Sequence, residues 1–152
     1  MNAARSTQQR IQDAKTKLAQ GGDAWLATAG QAEPHLVPLT FVWDQQNEVI
    51  IFCTEPKHRT AGNIEKHPAV RVAFGSTRDV LLVYGSAEII GAVNDDEQTA
   101  ALFSSQTGWD PRQSSGDWIF IRIIPDRMQA WREVNEIQGR TIMRNGQWVA
   151  DA

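Results

Sequence analysis

The chain is poor in the residue types that carry most recognisable chemistry. It has one cysteine, Cys53, among 152 residues, so no internal disulfide can form and a disulfide scaffold is excluded. No run approaches the ~20 apolar residues that cross a bilayer as a helix. The opening MNAARSTQQRIQDAKTK also lacks the apolar core of a secretory signal. A soluble, cytoplasmic protein without a membrane partner is expected. No G-x-G-x-x-G follows a strand and no G-x-x-x-x-G-K-[ST] occurs, which disfavours Rossmann and Walker nucleotide sites. The three histidines, His35, His58 and His67, form no pair at metal-binding spacing, so no metal is expected. A hydrolase nucleophile elbow, G-x-S-x-G, is missing too.

Strong charge of one sign is also lacking. The net charge is −3 and the pI about 5.6, whereas domains that hold nucleic acid usually carry a basic face. Residues 1–20 are locally +3, which leaves −6 for the rest. A basic amphipathic helix explains that asymmetry, and no nucleic-acid partner is expected. With 41% hydrophobic and 22% charged residues, the composition is that of one ordinary globular domain over 1–152.

Strand signals dominate what is there. An N-terminal helix is expected within residues 1–20, with Ile11, Ala14 and Leu18 on one face and Gly21-Gly22 behind it. AWLATA (24–29), HLVPLTFVW (35–43) and EVIIFCT (48–54) then follow with short turns, as two successive hairpins. EVIIFCT is apolar in both alternating sets, so both its faces should be covered. A short helix near 58–67 stops at Pro68, and strands follow over 69–74 and 80–90. A helix over 94–106 has Asn94 as its N-cap candidate. WIFIRII (118–124) alternates and can run on past Pro125, and Asn145-Gly146 marks a tight final hairpin. Six or more strands with few helices predict a mainly β fold: a closed, antiparallel barrel over 24–150, not a parallel doubly wound sheet.

Residues 34–74 hold the most informative cluster. A buried hairpin delivers the chain to Lys57, His58 and Arg59 at the start of a short helix. Free helix N–H groups beside cations suit a phosphate, and the hydroxyls of Thr54 and Thr60 could add donors. A solvated turn with charges facing water is the plainer alternative. Pro38 inside a strand means either an edge position or a strand opened for a ligand. Cys53 reads as a small core residue. Asp79 beside Arg78 reads as an ion pair at the barrel end.

The order A-T-A-G…P-H-x-V-P-L-x-F-V-W-D…I-x-F-x-T…R-T-A-x-N-I-x-x-H-P-x-V-R-V-A-F resembles the pyridoxamine 5′-phosphate oxidase-like, FMN-binding split β-barrel family. Later blocks STRDVLLVYG (76–85), TGWDPR (107–112) and QAWREVNEIQGRTIM (129–143) are similar to a branch of it, so the likeness spans about residues 20–150. It implies a six-stranded Greek-key split barrel and a homodimer with the cofactor at its interface. The activity implied is a flavin-dependent oxidoreductase that transfers hydride to or from a small organic substrate, with no catalytic residue identifiable. The resemblance places the flavin phosphate at Thr54, His58, Arg59, Thr60 and Asn63; Thr60 stands where the family carries lysine, a cation that Lys57 could replace from a different direction. It lays the ring along Val37, Pro38, Leu39 and Thr40, and closes the site with Trp131 and Arg132 from the partner chain. FMN is the expected cofactor, with the 8-hydroxy-5-deazaflavin coenzyme as the alternative. A non-catalytic carrier or sensor of flavin or haem is a further reading. The 141–152 tail does not match the substrate-binding C-terminus of true pyridoxamine phosphate oxidases.

Overall fold

The local signals resolve into a closed barrel in a computed structural model that describes residues 1–150. Strands β1 (Gly22–Ala29), β2 (Pro34–Asp44) and β3 (Val49–Thr54) form an antiparallel meander. The chain then crosses over through helix α2 (Arg59–Lys66) and lays β4 (Ala69–Phe74) beside β1. Strands β5 (Val80–Ala92) and β6 (Ile119–Trp131) continue the sheet, and β6 closes on β3. The order β3-β2-β1-β4-β5-β6, with the fourth strand returning beside the first, is a Greek key. A small hairpin, β7 (Thr141–Arg144) and β8 (Gln147–Trp148), extends from β6 through a turn at Asn145-Gly146. Both turn residues have positive φ, 54° and 74°, as the Asn-Gly signal requires.

Alternation puts one set of side chains inside. Leu26, Phe41, Phe52, Val72, Val83 and Ile123 fill the barrel. Helix α1 (Thr7–Gln20) adds Ile11, Ala14 and Leu18, the stripe its spacing predicts. All six residues of β3 are buried, because its second face lies under helix α3 (Glu97–Thr107), which contributes Ala100 and Phe103. Cys53 belongs to that second cluster, where burial pushes its thiol up to about 12. Among the described residues no helix is long and apolar enough to cross a membrane.

Two local expectations are corrected. The cap of α3 is Asp96, not Asn94, which lies in a short 3-10 turn (Val93–Asp95). The Asp96 carboxylate accepts from both the Thr99 N–H (3.0 Å) and the Thr99 hydroxyl (2.8 Å), a double bond set that fixes the helix start two residues later. Asp79 does not pair with its neighbour Arg78. It does form an ion pair at the barrel end, but with Lys17 and Arg132, while Arg78 reaches Glu133; both lie in the turn between β4 and β5, where the backbone sends neighbouring side chains to different partners. Strand β6 does run through Pro125, by means of a bulge. Tyr84 opposes Arg127 but Gly85 opposes Pro125, so Asp126 is the extra residue. A Cβ at Gly85 would lie 2.7 Å from the Ile124 carbonyl oxygen, so only glycine permits this approach.

Candidate functional site

The barrel is split on one side, and the split follows from how β2 is shared. β2 pairs with β1 along residues 34–41 but with β3 only at 41–44. Residues 34–40 therefore have no strand on their outer edge among the described residues. Pro38 lies in this unpaired run, where its missing N–H removes no ladder bond. That favours the edge reading and also leaves an open backbone. Side chains alternate along it: Val37 and Leu39 pack toward the core, whereas Pro38 and Thr40 face out. Pro38 lies opposite Trp25 of β1, which is 48% exposed, and the Thr40 hydroxyl donates to Asp23 at 2.8 Å.

Across the gap β3 ends at Thr54 and the chain turns into α2. The His58 N–H donates to the Glu55 carbonyl at 3.1 Å, closing the turn. His58 is the N-cap, yet its side chain makes no capping bond; its Nδ1 lies 3.2 Å from the Thr54 hydroxyl instead. The first N–H groups of α2 therefore have no side-chain acceptor. Lys57 and Arg59 flank them and are largely exposed, paired with Glu55 (3.1 Å) and Glu33 (3.3 Å). Such exposed pairs hold with at most ~1 kcal/mol and exchange readily. Thr54 and Thr60 are both 3% exposed, so the polar surface of the turn comes from Lys57, His58, Arg59 and the backbone. Asn63 anchors the helix to the barrel by donating to the Thr28 hydroxyl at 3.0 Å.

The structure thus gathers residues 37–40 and 54–63 around one split but does not bring Trp131 and Arg132 to it within the chain. Ile119 opposes Thr54 at one end of β6, and Trp131 lies at the other, opposite Val80. Arg132 is engaged there. Its Nε donates to Asp79 at 3.1 Å, and its backbone N–H donates to Glu136 at 2.8 Å. Glu136 is 3% exposed and also accepts three bonds from Arg5. The Arg5 guanidinium holds its carboxyl down at about 2.

Sequence reasoning missed Glu33 and Glu55, the acids that occupy the two cations. Glu55 was within reach, two residues from Lys57 in a turn. Glu33 was not, since only the β1–β2 register places it against Arg59. Among the described residues no three His, Cys, Asp or Glu side chains gather to hold a metal ion.

Comparison with known proteins agrees with this architecture. A search of curated proteins found no match. Among solved structures, General Stress Protein 26 from Bacillus anthracis is 23% identical, with 80% of this chain and 93% of that one covered at a TM-score of 0.62. An F420 reductase is 22% identical over 75% and 94% of the two chains, TM-score 0.61. A FAD-binding protein from Mesorhizobium loti is 17% identical over 83% and 92%, TM-score 0.61. At these identities the likeness establishes the fold. The sequence itself matches the profile of the pyridoxamine 5′-phosphate oxidase family over residues 12–135, most of its length, and the chain belongs to that family.

Proposed function

We propose that this chain is a flavin-dependent oxidoreductase that holds FMN at the seam of a homodimer and passes hydride to or from a small organic substrate. The observation that carries the reading is the pairing, across the split, of an uncapped helix mouth with an unpaired strand edge. The donor set fits the cofactor. The free N–H groups of α2 and the Arg59 guanidinium suit a phosphate, with Lys57 as a second cation. The exposed backbone of Val37, Pro38, Leu39 and Thr40 suits the polar rim of a flavin ring, Pro38 offering only its carbonyl. When bound, the flavin supplies the hydride chemistry; the chain supplies position and electrostatics.

Relatives of this fold that are named as an F420 reductase and a FAD-binding protein support a tricyclic redox cofactor. FMN, with its single phosphate, suits a chain that is −6 beyond residue 20 better than a deazaflavin coenzyme with an acidic tail. A second copy accounts for two further features. Trp25 and Leu36 expose 48% and 59% of their surface beside Pro38 on the outer sheet face, where a partner barrel would cover them. Trp131 and Arg132 sit at the far end of β6 from the split and could reach it only from that partner.

An absorbance spectrum of the purified protein, then titration with FMN and with the deazaflavin coenzyme, tests the reading. FMN should bind saturably, and Arg59→Ala should weaken it more than about tenfold through loss of a charge-assisted phosphate contact of ~1.5–3 kcal/mol. Reduction of the bound flavin by a nicotinamide donor would separate an enzyme from a carrier. Absence of a chromophore together with no binding of either coenzyme would overturn the proposal.

A further inference from the structure

A second feature lies among side chains that do not line the split. We propose that the outer face of β4, β5 and β6 carries an anion site for a small molecule bearing two or more negative charges. This site is independent of the flavin reading.

Arg71, Tyr84 and Arg127 are direct cross-strand neighbours on three successive strands. The guanidinium carbons of Arg71 and Arg127 lie 4.2 and 3.9 Å from the Tyr84 ring centroid, one from each flanking strand. The ring therefore sits between two cations. Together with Arg144 from the end of β7 they line a groove of about 720 Å³. Within the described residues none of these three arginines has a carboxylate partner, although six of the other eight do. One acid, Asp126, lines the groove, and it forms no ion pair with them.

The arrangement is held in place. The bulge at Asp126 sets the direction of Arg127. The Asp126 carbonyl accepts the Gly146 N–H at 2.8 Å, which pins the β7–β8 turn and with it Arg144 beside the groove. Three like charges in one groove repel one another, a condition that an anion would relieve. Stacking on Tyr84 occupies guanidinium faces and leaves most N–H edges free. One Arg71 N–H goes to the Val70 carbonyl at 2.9 Å. Free guanidinium edges match phosphoryl and carboxylate oxygens bidentately. The volume exceeds that of one phosphate group, which points to a polyanion.

Calorimetric titration of the Arg59→Ala protein with pyrophosphate, and separately with citrate, tests the site without interference from the α2 cation. Saturable binding of one anion per chain is expected, and the stronger of the two ligands distinguishes a phosphoryl from a carboxylate source. Adding Arg71→Ala and Arg127→Ala should weaken it by about tenfold or more. Arg144→Ala alone, a change on an exposed hairpin, should weaken it by about threefold and serves if the multiple variant does not fold. Arg78→Ala, at the opposite barrel end, should stay within about twofold. The proposal is overturned if neither anion binds, or if the Arg71, Arg127 and Arg144 changes leave affinity where Arg78→Ala leaves it.

Discussion

The two ends of the barrel use charge in opposite ways. At the end where α1 packs, Arg5, Asp13, Asp79, Arg132 and Glu136 form one network. Its Glu136 is buried and accepts backbone N–H bonds from Arg5, before α1, and from Arg132, just past β6. At the other end, Lys57 and Arg59 stand exposed and hold single partners loosely. The helices repeat the contrast. Ser6 caps α1 and Asp96 caps α3 through their side chains, whereas α2 starts with no side-chain cap at all. Charges at the α1 end are held by several buried or half-buried partners at once, whereas the exposed cations at the helix mouth are held by one acid each and can exchange it.

The contrast can be broken most sharply at Glu136. Glu136→Gln should cost about 1–3 kcal/mol in chemical denaturation, since Arg5 loses its buried counter-charge and keeps only the more exposed Asp13. FMN affinity should barely move. Arg59→Ala should do the reverse, weakening FMN more than about tenfold while shifting stability by less than ~0.5 kcal/mol. Equal effects of both changes on both readouts would erase the distinction between the two ends. Acid titration sharpens the same point. The folded carboxyl of Glu136 is held at about 2 against an ordinary 4.5, so its stabilisation is fully present above 4.5 and is lost as pH falls toward 2. A denaturation series should show that loss in the native protein and a shallower one in Glu136→Gln.

The helix caps provide smaller tests. Asp96→Ala should destabilise by about 1 kcal/mol through loss of the α3 cap. His58→Ser would give α2 the side-chain acceptor it lacks, raising stability by ~0.5 kcal/mol or more while weakening FMN through competition for the same N–H groups. A His58→Ser protein that gains stability and keeps its FMN affinity would move the phosphate away from the helix mouth.

Features set by nearby residues are legible in the sequence alone. The stripe of Ile11, Ala14 and Leu18, the doubly apolar EVIIFCT and the Asn145-Gly146 turn each depend on short-range pattern, and each stands where expected. The cap of α3 lies two residues beyond the one the sequence predicts because Asn94 and Asp96 are both competent caps, and only packing selects between them. Features made by register were invisible. The pairing of Arg59 with Glu33 and the Arg71–Tyr84–Arg127 row each join residues that are far apart in sequence. Of the candidate site, the segment 54–63 could be named from the chain alone. The lack, among the described residues, of a strand on the outer edge of residues 34–40 could not, because it depends on where β3 leaves β2.

The double allegiance of β3 bears on how the protein matures. Thr54, the last residue of β3, is paired with Ile119 of β6, so the position of the split depends on a strand laid down 65 residues later. A chain still emerging from the ribosome, or one whose final strands have come loose, has the residues of the site without its geometry. Such non-local pairing forms late and slowly. If the split binds FMN as proposed, retention of FMN would serve as a readout of completed closure, and mass action would favour the closed barrel whenever FMN is abundant.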